Sequence, residues 1–374
     1  MKGKSRSCIL SAFSGMYKNG EQKNMSSSVQ EILREGPVEA SAPCRIDSGG
    51  TWDIKAMALP FEHIRPATVN MALTLRSHVT LSPYEDRKIR ISSEGFPQAE
   101  VFERDDLPLD SPFAIFLAAV SFFDVHGIDV HIRSESPVTS AMGGSSAALV
   151  ALVKALDKIG RRPEHGGLDA RSILHLAYHL EDGISGGNCG IQDQAAATYG
   201  GVNLWTWQYS NPGSLFVRVP LLKTRDHREM SAHLIVAYSG KSHVSSRTNR
   251  KWLAEFLSGK TRKGWIKANE IVREFALAVQ DLHWSEAARL IREEMALRRE
   301  ITPEALIPIT EILIQQAEGS GCGARFAGAG AGGAVWGIGE SESIEKVRLL
   351  WEKTLAPISG AQVLDCAIDQ SGVQ

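Results

Sequence analysis

Apolar and polar positions divide the chain into stretches of different period. Thr68–Leu81 alternates in the manner of a half-buried strand, and shorter extended runs are predicted at Ala42–Ile46, Lys88–Ser92 and Ile128–Arg133. After Ser146, the apolar Leu149, Leu152, Val153 and Leu156 fall at i, i+3, i+4 and i+7, which is one face of a helix. A second helix is predicted from about Ala170 to Asp182. Gly200–Tyr209 and Ser214–Leu222 read as a strand pair around an Asn-Pro-Gly turn. His233–Tyr238 reads as a strand, and several amphipathic helices follow between Asn249 and Gly319. Two strands then flank a glycine-rich turn near Gly330, a helix covers Ile344–Thr354, and Gln362–Ile368 is the last element. Strands mixed with helices in this way favour an α/β or α+β fold over a bundle or a sandwich.

The composition shifts beyond Lys223, so a domain boundary is expected near Arg225, within the charged stretch Lys223–Glu229. The expected division is an extension over 1–39, an N-terminal domain over 40–224 and a C-terminal domain over 225–374. Lys, Ser, Gly and Asn dominate the extension, with one short helix at Val29–Arg34. It reads as a loose chain end or as a docking segment for a partner.

At 374 residues, 43% apolar and 22% charged, the chain can bury one large core or two moderate ones. Its 41 Lys and Arg nearly balance 43 Asp and Glu, and a net charge of -2 implies no general attraction to nucleic acid or to an anionic membrane. No apolar run is long enough for a membrane span. Five scattered cysteines, Cys8, Cys44, Cys189, Cys322 and Cys366, show no CxxC spacing. This argues against a disulfide framework or a structural zinc site and makes a reducing, cytoplasmic setting the expectation.

Four segments carry chemistry. Pro137–Ala148, PVTSAMGGSSAA, lies between a strand and a helix; its paired glycines allow close backbone approach, and the helix N-terminus favours a phosphate. Ser145 and Ser146 add hydroxyls for phosphate or Mg²⁺. An ordinary Gly-Gly turn with a serine N-cap is the plainer alternative. Leu180–Trp205, LEDGISGGNCGIQDQAAATYGGVNLW, sets Glu181 at a helix end and Asp193 beyond a glycine-rich turn. One carboxylate there can hold a metal and the other take a proton, or Glu181 is a solvated charge and Asp193 a helix cap. Ala42–Ile54, APCRIDSGGTWDI, offers a fixed guanidinium at Arg45 to neutralise transferred phosphate and a hydroxyl acceptor at Asp53. Ala324–Ile338, ARFAGAGAGGAVWGI, is a glycine-rich hairpin that brings backbone close to something or is simply a tight turn.

In this order the four segments resemble the GHMP family of small-molecule kinases, over about Ala42 to the C-terminus. GISGGNCGIQDQAAATYGG is similar to the branch acting on D-glycero-D-manno-heptose 7-phosphate, and RIDSGGTWD resembles the L-fucose kinase pattern. The resemblance implies a two-domain α+β fold, with an N-terminal domain like ribosomal protein S5 domain 2 and a ferredoxin-like C-terminal domain. It implies ATP and Mg²⁺ as cofactors and direct phosphoryl transfer to a small-molecule sugar or sugar phosphate, with the anomeric hydroxyl as acceptor. Neither nucleic acid nor membrane is an implied partner, and a homodimer is compatible with it. A non-catalytic sugar or nucleotide sensor on the same fold is the alternative.

Carried over by motif, Asp193 and Arg45 are the catalytic pair, and Ser145, Ser146 and Glu181 the Mg²⁺ ligands. Pro137, Ser140, Met142, Gly143, Gly144, Ser145, Ser146 and Ala147 form the nucleotide loop. The substrate side takes Gly49, Gly50, Thr51, Asp53, Gln192, Gly328, Gly330 and Gly332, with Gly333 completing the third motif. Thr139, Ala141 and Gly144 stand where glycine, glycine and serine are usual in the family, and Ala331 interrupts the last glycine run. The stretch between Arg45 and Asp53 is one residue shorter than in the sugar kinases.

Three further features have bland readings. His175 and His179 have helical metal spacing, but Leu176 stands where a zinc protease has its glutamate. Lys241, Ser242, His243 and Arg247 read either as a substrate-phosphate loop or as a plain polar loop. Trp205 and Trp207 share one face of a strand, which favours packing over ligand stacking.

Overall fold

The computed structural model describes residues 22–49, 52–160, 167–211, 213–242 and 245–374, with backbone alone for 22–28 and 245–247. Gly50, Thr51, Cys8, His243, most of the 1–39 extension and Pro212 of the Asn-Pro-Gly turn lie outside these residues. The described strands are β1 (Val38–Ser48), β2 (Ala67–Pro83), β3 (Lys88–Ser93), β4 (Glu100–Glu103), β5 (Ile128–Ser134), β6 (Val202–Trp207), β7 (Phe216–Pro220), β8 (Leu234–Tyr238), β9 (Gly323–Phe326), β10 (Ala334–Ile338) and β11 (Gln362–Leu364). The helices that place the site are α1 (Gln22–Glu35), α2 (Lys55–Ala58), α3 (Ala114–Phe122), α4 (Gly144–Ile159), α5 (Ala170–Ile184) and α6 (Gln192–Tyr199). In the second half come α7 (His227–Ala232), α8 (Ser245–Leu257), α9 (Arg262–Gln280), α10 (Trp284–Ile301), α11 (Pro308–Gly319) and α12 (Ser341–Leu355).

The fold is mixed α+β, built on two sheets. The first runs β4-β3-β5-β2-β6-β7 with β1 also paired to β2, and only the β3–β5 pair is parallel. The second is antiparallel in the order β11-β8-β10-β9. Numbered along the chain that order is 4-1-3-2, the strand order of a ferredoxin-like βαββαβ unit, with α8 to α11 as its first crossover and α12 as its second.

The β1–β2 register shifts between Pro43 and Cys44, where Pro43 has no N–H to give to the ladder. Thr74, opposite this irregularity, pairs instead with the returning C-terminal segment: its N–H donates to the Ala367 carbonyl at 2.9 Å. Ile368 bridges Leu73, and Arg76 is paired with Asp369, so the last ten residues lie on the first sheet.

Helix α4 departs from the single apolar face that its periodicity predicts. Ala147, Ala148, Val150, Ala151 and Ala155 are buried as well, because the helix is enclosed by β1 and β2 on one side and by α3, α5 and α6 on the others. Its small residues let those neighbours approach closely. Trp205 and Trp207 are fully buried and stacked, with ring centroids 5.8 Å apart, and their indole N–H groups donate to Asn70 and Thr68. Packing is their role. The described cysteines are all free, and no described helix is long and apolar enough to cross a membrane.

Candidate active site

Strand β1 carries the first site residues. Cys44 and Ile46 point into the main core, which sends the alternate positions Arg45 and Asp47 to the other face. Arg45 reaches α6, where its Nε and Nη2 donate to one oxygen of Asp193, Oδ1, at 2.8 and 2.6 Å. Its Nη1 donates to the Ala141 carbonyl of the glycine loop at 2.8 Å and lies 3.3 Å from Asp47 Oδ1. Burial opposes the guanidinium's charge, but Asp193 and Asp47 more than offset it and raise its pKa. Among the described residues none donates to Asp193 Oδ2.

Asp193 is not a helix cap: Ile191 holds the N-cap position of α6, and Asp193 lies in the first turn, where the helix dipole favours a carboxylate. The entry of α6 is tied down by Asn70, which donates to the Gln192 carbonyl at 3.1 Å and is itself held by Trp205.

The loop Pro137–Gly143 hands the chain from β5 to α4. Gly143 is the N-cap of α4 at φ 73, and a Cβ there would sit 3.1 Å from the Asp193 carboxylate. Glycine thus satisfies both the left-handed backbone and the approach of the carboxylate. Thr139 and Ala141, at φ 58 and 63, hold the same left-handed conformation with a Cβ present. Ala331 does so in the third motif at φ 59, so three departures from the family's glycine pattern fall where glycine is easiest.

Glu181, near the end of α5, is not a solvated charge. It accepts from Ser146 Oγ of α4 at 3.0 Å and from Gln194 Nε2 of α6 at 2.7 Å. Burial, with Asp193 adding to it, pushes its carboxyl up to about 7. Glu181, Ser146 and the exposed Ser145 offer only oxygen donors, the set that a small hard cation takes, and a cation would relieve the charge that burial and Asp193 penalise. These residues fit Mg²⁺. Among the described residues no cluster of three or more His, Cys, Asp or Glu forms a metal cage; His175 and His179 lie edge to face with ring centroids 6.1 Å apart.

Asp53 follows the turn after β1 and is buried beside Gly190, where a Cβ would fall 1.8 Å from its Oδ2. Oδ2 accepts from the Gln192 N–H at 3.1 Å, whereas no described residue donates to the buried Oδ1. Burial and then the charge of Asp193 push this carboxyl up to about 7, against the Gln192 N–H and Arg45. Gln192 Oε1 is a second buried acceptor to which no described residue donates.

These groups surround one cavity of about 460 Å³. Part of its lining is apolar, with Phe96, Pro112, Phe116, Ile132 and Val138. The remainder is polar, with Arg45, Asp53, Glu181, Gln192, Asp193 and Asn249. Pro137, Ser140, Gly143, Gly144, Ser145, Ser146 and Gly328 also line it, whereas the side chains of Met142 and Ala147 turn into the core. Gly49 lies against Val272, Gly330 against the Ala305 carbonyl, and Gly332 against the Ser242 carbonyl, away from the cavity wall. Gly333 packs on the Ser140 carbonyl, which accepts from the Ala334 N–H at 2.7 Å, so the third motif braces the loop from behind. Sequence reasoning passed over Asp47, Gln194 and the Phe96–Phe116 wall. Asp47 had a readable signal, a second charge two positions from Arg45 and so on the same face of the strand.

Residues 113–201 match the family described as GHMP kinases N terminal domain. The bifunctional fucokinase/GDP-fucose pyrophosphorylase of Arabidopsis thaliana is 22% identical over 331 residues, covering 83% of this chain and 30% of that protein. The D-glycero-alpha-D-manno-heptose 7-phosphate kinase of Campylobacter jejuni is 28% identical over 210 residues, covering 54% of this chain and 59% of the relative. The mevalonate kinase of Archaeoglobus fulgidus is 25% identical over 223 residues, covering 59% and 68%. The match thus spans under a third of the first relative and about three fifths of the second. In structure, Lactococcus lactis galactokinase complexed with galactose superposes with a TM-score of 0.71 at 17% identity, covering 93% of this chain and 99% of that one.

Proposed function

From a chain that carries a GHMP kinase N-terminal domain on that family's two-domain fold, we propose an ATP-dependent carbohydrate kinase that transfers phosphate to a sugar hydroxyl, the anomeric one. The observation that carries this reading is the Arg45–Asp193 pair at the mouth of the glycine loop. Asp193, whose Oδ2 accepts from no described residue, takes the proton of the acceptor hydroxyl. The hydroxyl oxygen then forms its bond to the γ-phosphorus as the bond to ADP breaks. Arg45 holds the carboxylate in place and faces the charge that builds on the transferred group. The loop and the N-terminus of α4 receive the phosphates through backbone N–H groups, and the Phe96–Phe116 wall receives the base. Glu181 with Ser146 and Ser145 would hold Mg²⁺, which when bound supplies charge neutralisation at the phosphates.

A sugar is favoured over an acid because Asp53 Oδ1 and Gln192 Oε1 are buried oxygens to which no described residue donates. Hydroxyl donors satisfy them; a substrate carboxylate would not. The four described cysteines are free, which suits a reducing, cytoplasmic setting.

The test is ATP consumption against a panel of fucose, galactose, a heptose 7-phosphate, mevalonate and homoserine, with a blank lacking acceptor. Turnover that depends on one of the sugars is expected. Turnover with mevalonate or homoserine alone, or binding of sugar and nucleotide with no ATP consumption, would overturn it.

A further inference from the structure

Behind Arg45 lies a run of buried charges that the reaction scheme does not use. Asp47, Arg325 and Glu294 come from β1, β9 and α10, and all three side chains are fully buried. Asp47 Oδ1 accepts from the Gly328 N–H at 2.7 Å and lies 3.3 Å from Arg45 Nη1. Its Oδ2 accepts from Arg325 Nη1 at 2.8 Å, and Arg325 Nε donates to Glu294 Oε2 at 3.2 Å. The backbone carbonyl of Asp47 is held as well, by Arg325 and by Trp336 Nε1 at 3.1 Å.

Stability does not explain this arrangement. Buried ion pairs lose about as much in desolvation as they gain, and well-packed apolar residues often replace them without loss. Geometry does explain it. One edge of the Arg45 guanidinium is given to Asp193, and the remaining nitrogen is shared between Asp47 and the Ala141 carbonyl, so the plane cannot turn without breaking a buried contact.

We propose that Asp47 and Arg325 are positioning residues for phosphoryl transfer: through the run Glu294–Arg325–Asp47–Arg45, the second sheet fixes the guanidinium that serves Asp193. This rests on the kinase reading above. Gly328 belongs to the same device, since its N–H fixes Asp47 and a Cβ there would sit 2.9 Å from the Ala141 carbonyl oxygen and 3.4 Å from Arg45 Nη2.

Asp47→Asn keeps the shape and an acceptor for Gly328 but removes the charge. It should lower kcat about 10- to 100-fold, the scale of a small misplacement at a reacting centre, with both KM values within ~3-fold of the parent. Made on an Arg45→Met background, the same change should cost less than ~2-fold, because nothing is left to position. Arg325→Lys should retain more kcat than Arg325→Met. An unchanged kcat, or an equal loss on both backgrounds, overturns the proposal. Should Asp47→Asn not fold, the charge-neutral pair Asp47→Asn with Arg325→Gln carries the same expectation. Nitrogen NMR of the Arg45 Nε–H separates this claim from the kinase reading. Protection from exchange that Asp47→Asn abolishes supports positioning even if no sugar is turned over, and protection that survives the substitution overturns it.

Discussion

Asp47 and Asp53 stand six residues apart, are both buried, and have opposite electrostatics. Burial penalises each carboxylate. At Asp47 the penalty is exceeded by Arg325 and then Arg45, helped by the Gly328 N–H, so its pKa lies below the ordinary carboxylate value. At Asp53 only one backbone N–H and a more distant Arg45 oppose burial and the charge of Asp193, and the pKa rises to about 7. Burial and Asp193 raise Glu181 to about 7 as well, although Ser146 and Gln194 donate to its two oxygens. The region behind the guanidinium therefore holds a carboxylate, Asp47, with both oxygens engaged by Arg325 and Gly328, and the region facing the cavity holds one, Asp53, whose Oδ1 accepts from no described residue. Folding completes the first carboxylate, and a ligand is left to complete the second.

The sharpest way to break this comparison is at the group joining the two regions. Asp193→Asn should lower turnover by about 100-fold or more while nucleotide affinity stays near the parent's, since a positioned base typically supplies that factor. Turnover within a few-fold of the parent would remove Asp193 as the base. Glu181→Gln should raise the Mg²⁺ concentration needed for half-maximal rate, and an unchanged Mg²⁺ dependence would return Glu181 to a purely structural role.

Asp53→Asn sharpens the comparison through stability. An acid whose folded-state pKa is raised, here from 3.8 to about 7, binds more protons folded than unfolded across that window, so its contribution to stability falls as pH rises through it. The free protein should lose more Tm than Asp53→Asn between about pH 5 and pH 8. The variant should also raise the sugar KM with little change in ATP affinity. Parallel Tm profiles, or a loss of ATP affinity with an unchanged sugar KM, would contradict this account of Asp53.

What the sequence disclosed follows the range over which each interaction acts. Long alternating or helical runs such as Ala67–Pro83 and Ala170–Ile184 were legible because their signal is local. So were the motif residues Arg45, Asp193 and Glu181, which the structure brings together around one cavity. The Asp47–Arg325 pair was not, because its members are separated by 278 residues and nothing local marks either as the other's partner. The alanine-rich sides of α4 concealed how fully the helix is enclosed, since alanine packs against close neighbours as readily as it faces solvent. Gly330 and Gly332 show a further limit. A glycine pattern marks close backbone approach, but not whether a ligand or another segment of the protein does the approaching.

The smallest effect concerns that pattern. Ala331 has a left-handed backbone, a conformation that costs a non-glycine residue roughly 1–2 kcal/mol. Part of this is offset by the greater freedom of glycine in the unfolded chain, so Ala331→Gly should raise stability by about 0.5–1 kcal/mol in urea unfolding. A loss of stability would show that the Cβ of Ala331 contributes packing that outweighs its strain.

The central claim, that Asp193 and Arg45 direct phosphate from ATP to a sugar hydroxyl, is tested most directly by phosphorus NMR of the reaction with the sugar that best supports ATP consumption. The account predicts ADP together with a new sugar phosphate resonance coupled to the anomeric proton, and its absence when Asp193→Asn replaces the parent. ADP with inorganic phosphate alone, or a product unaffected by Asp193→Asn, would contradict it.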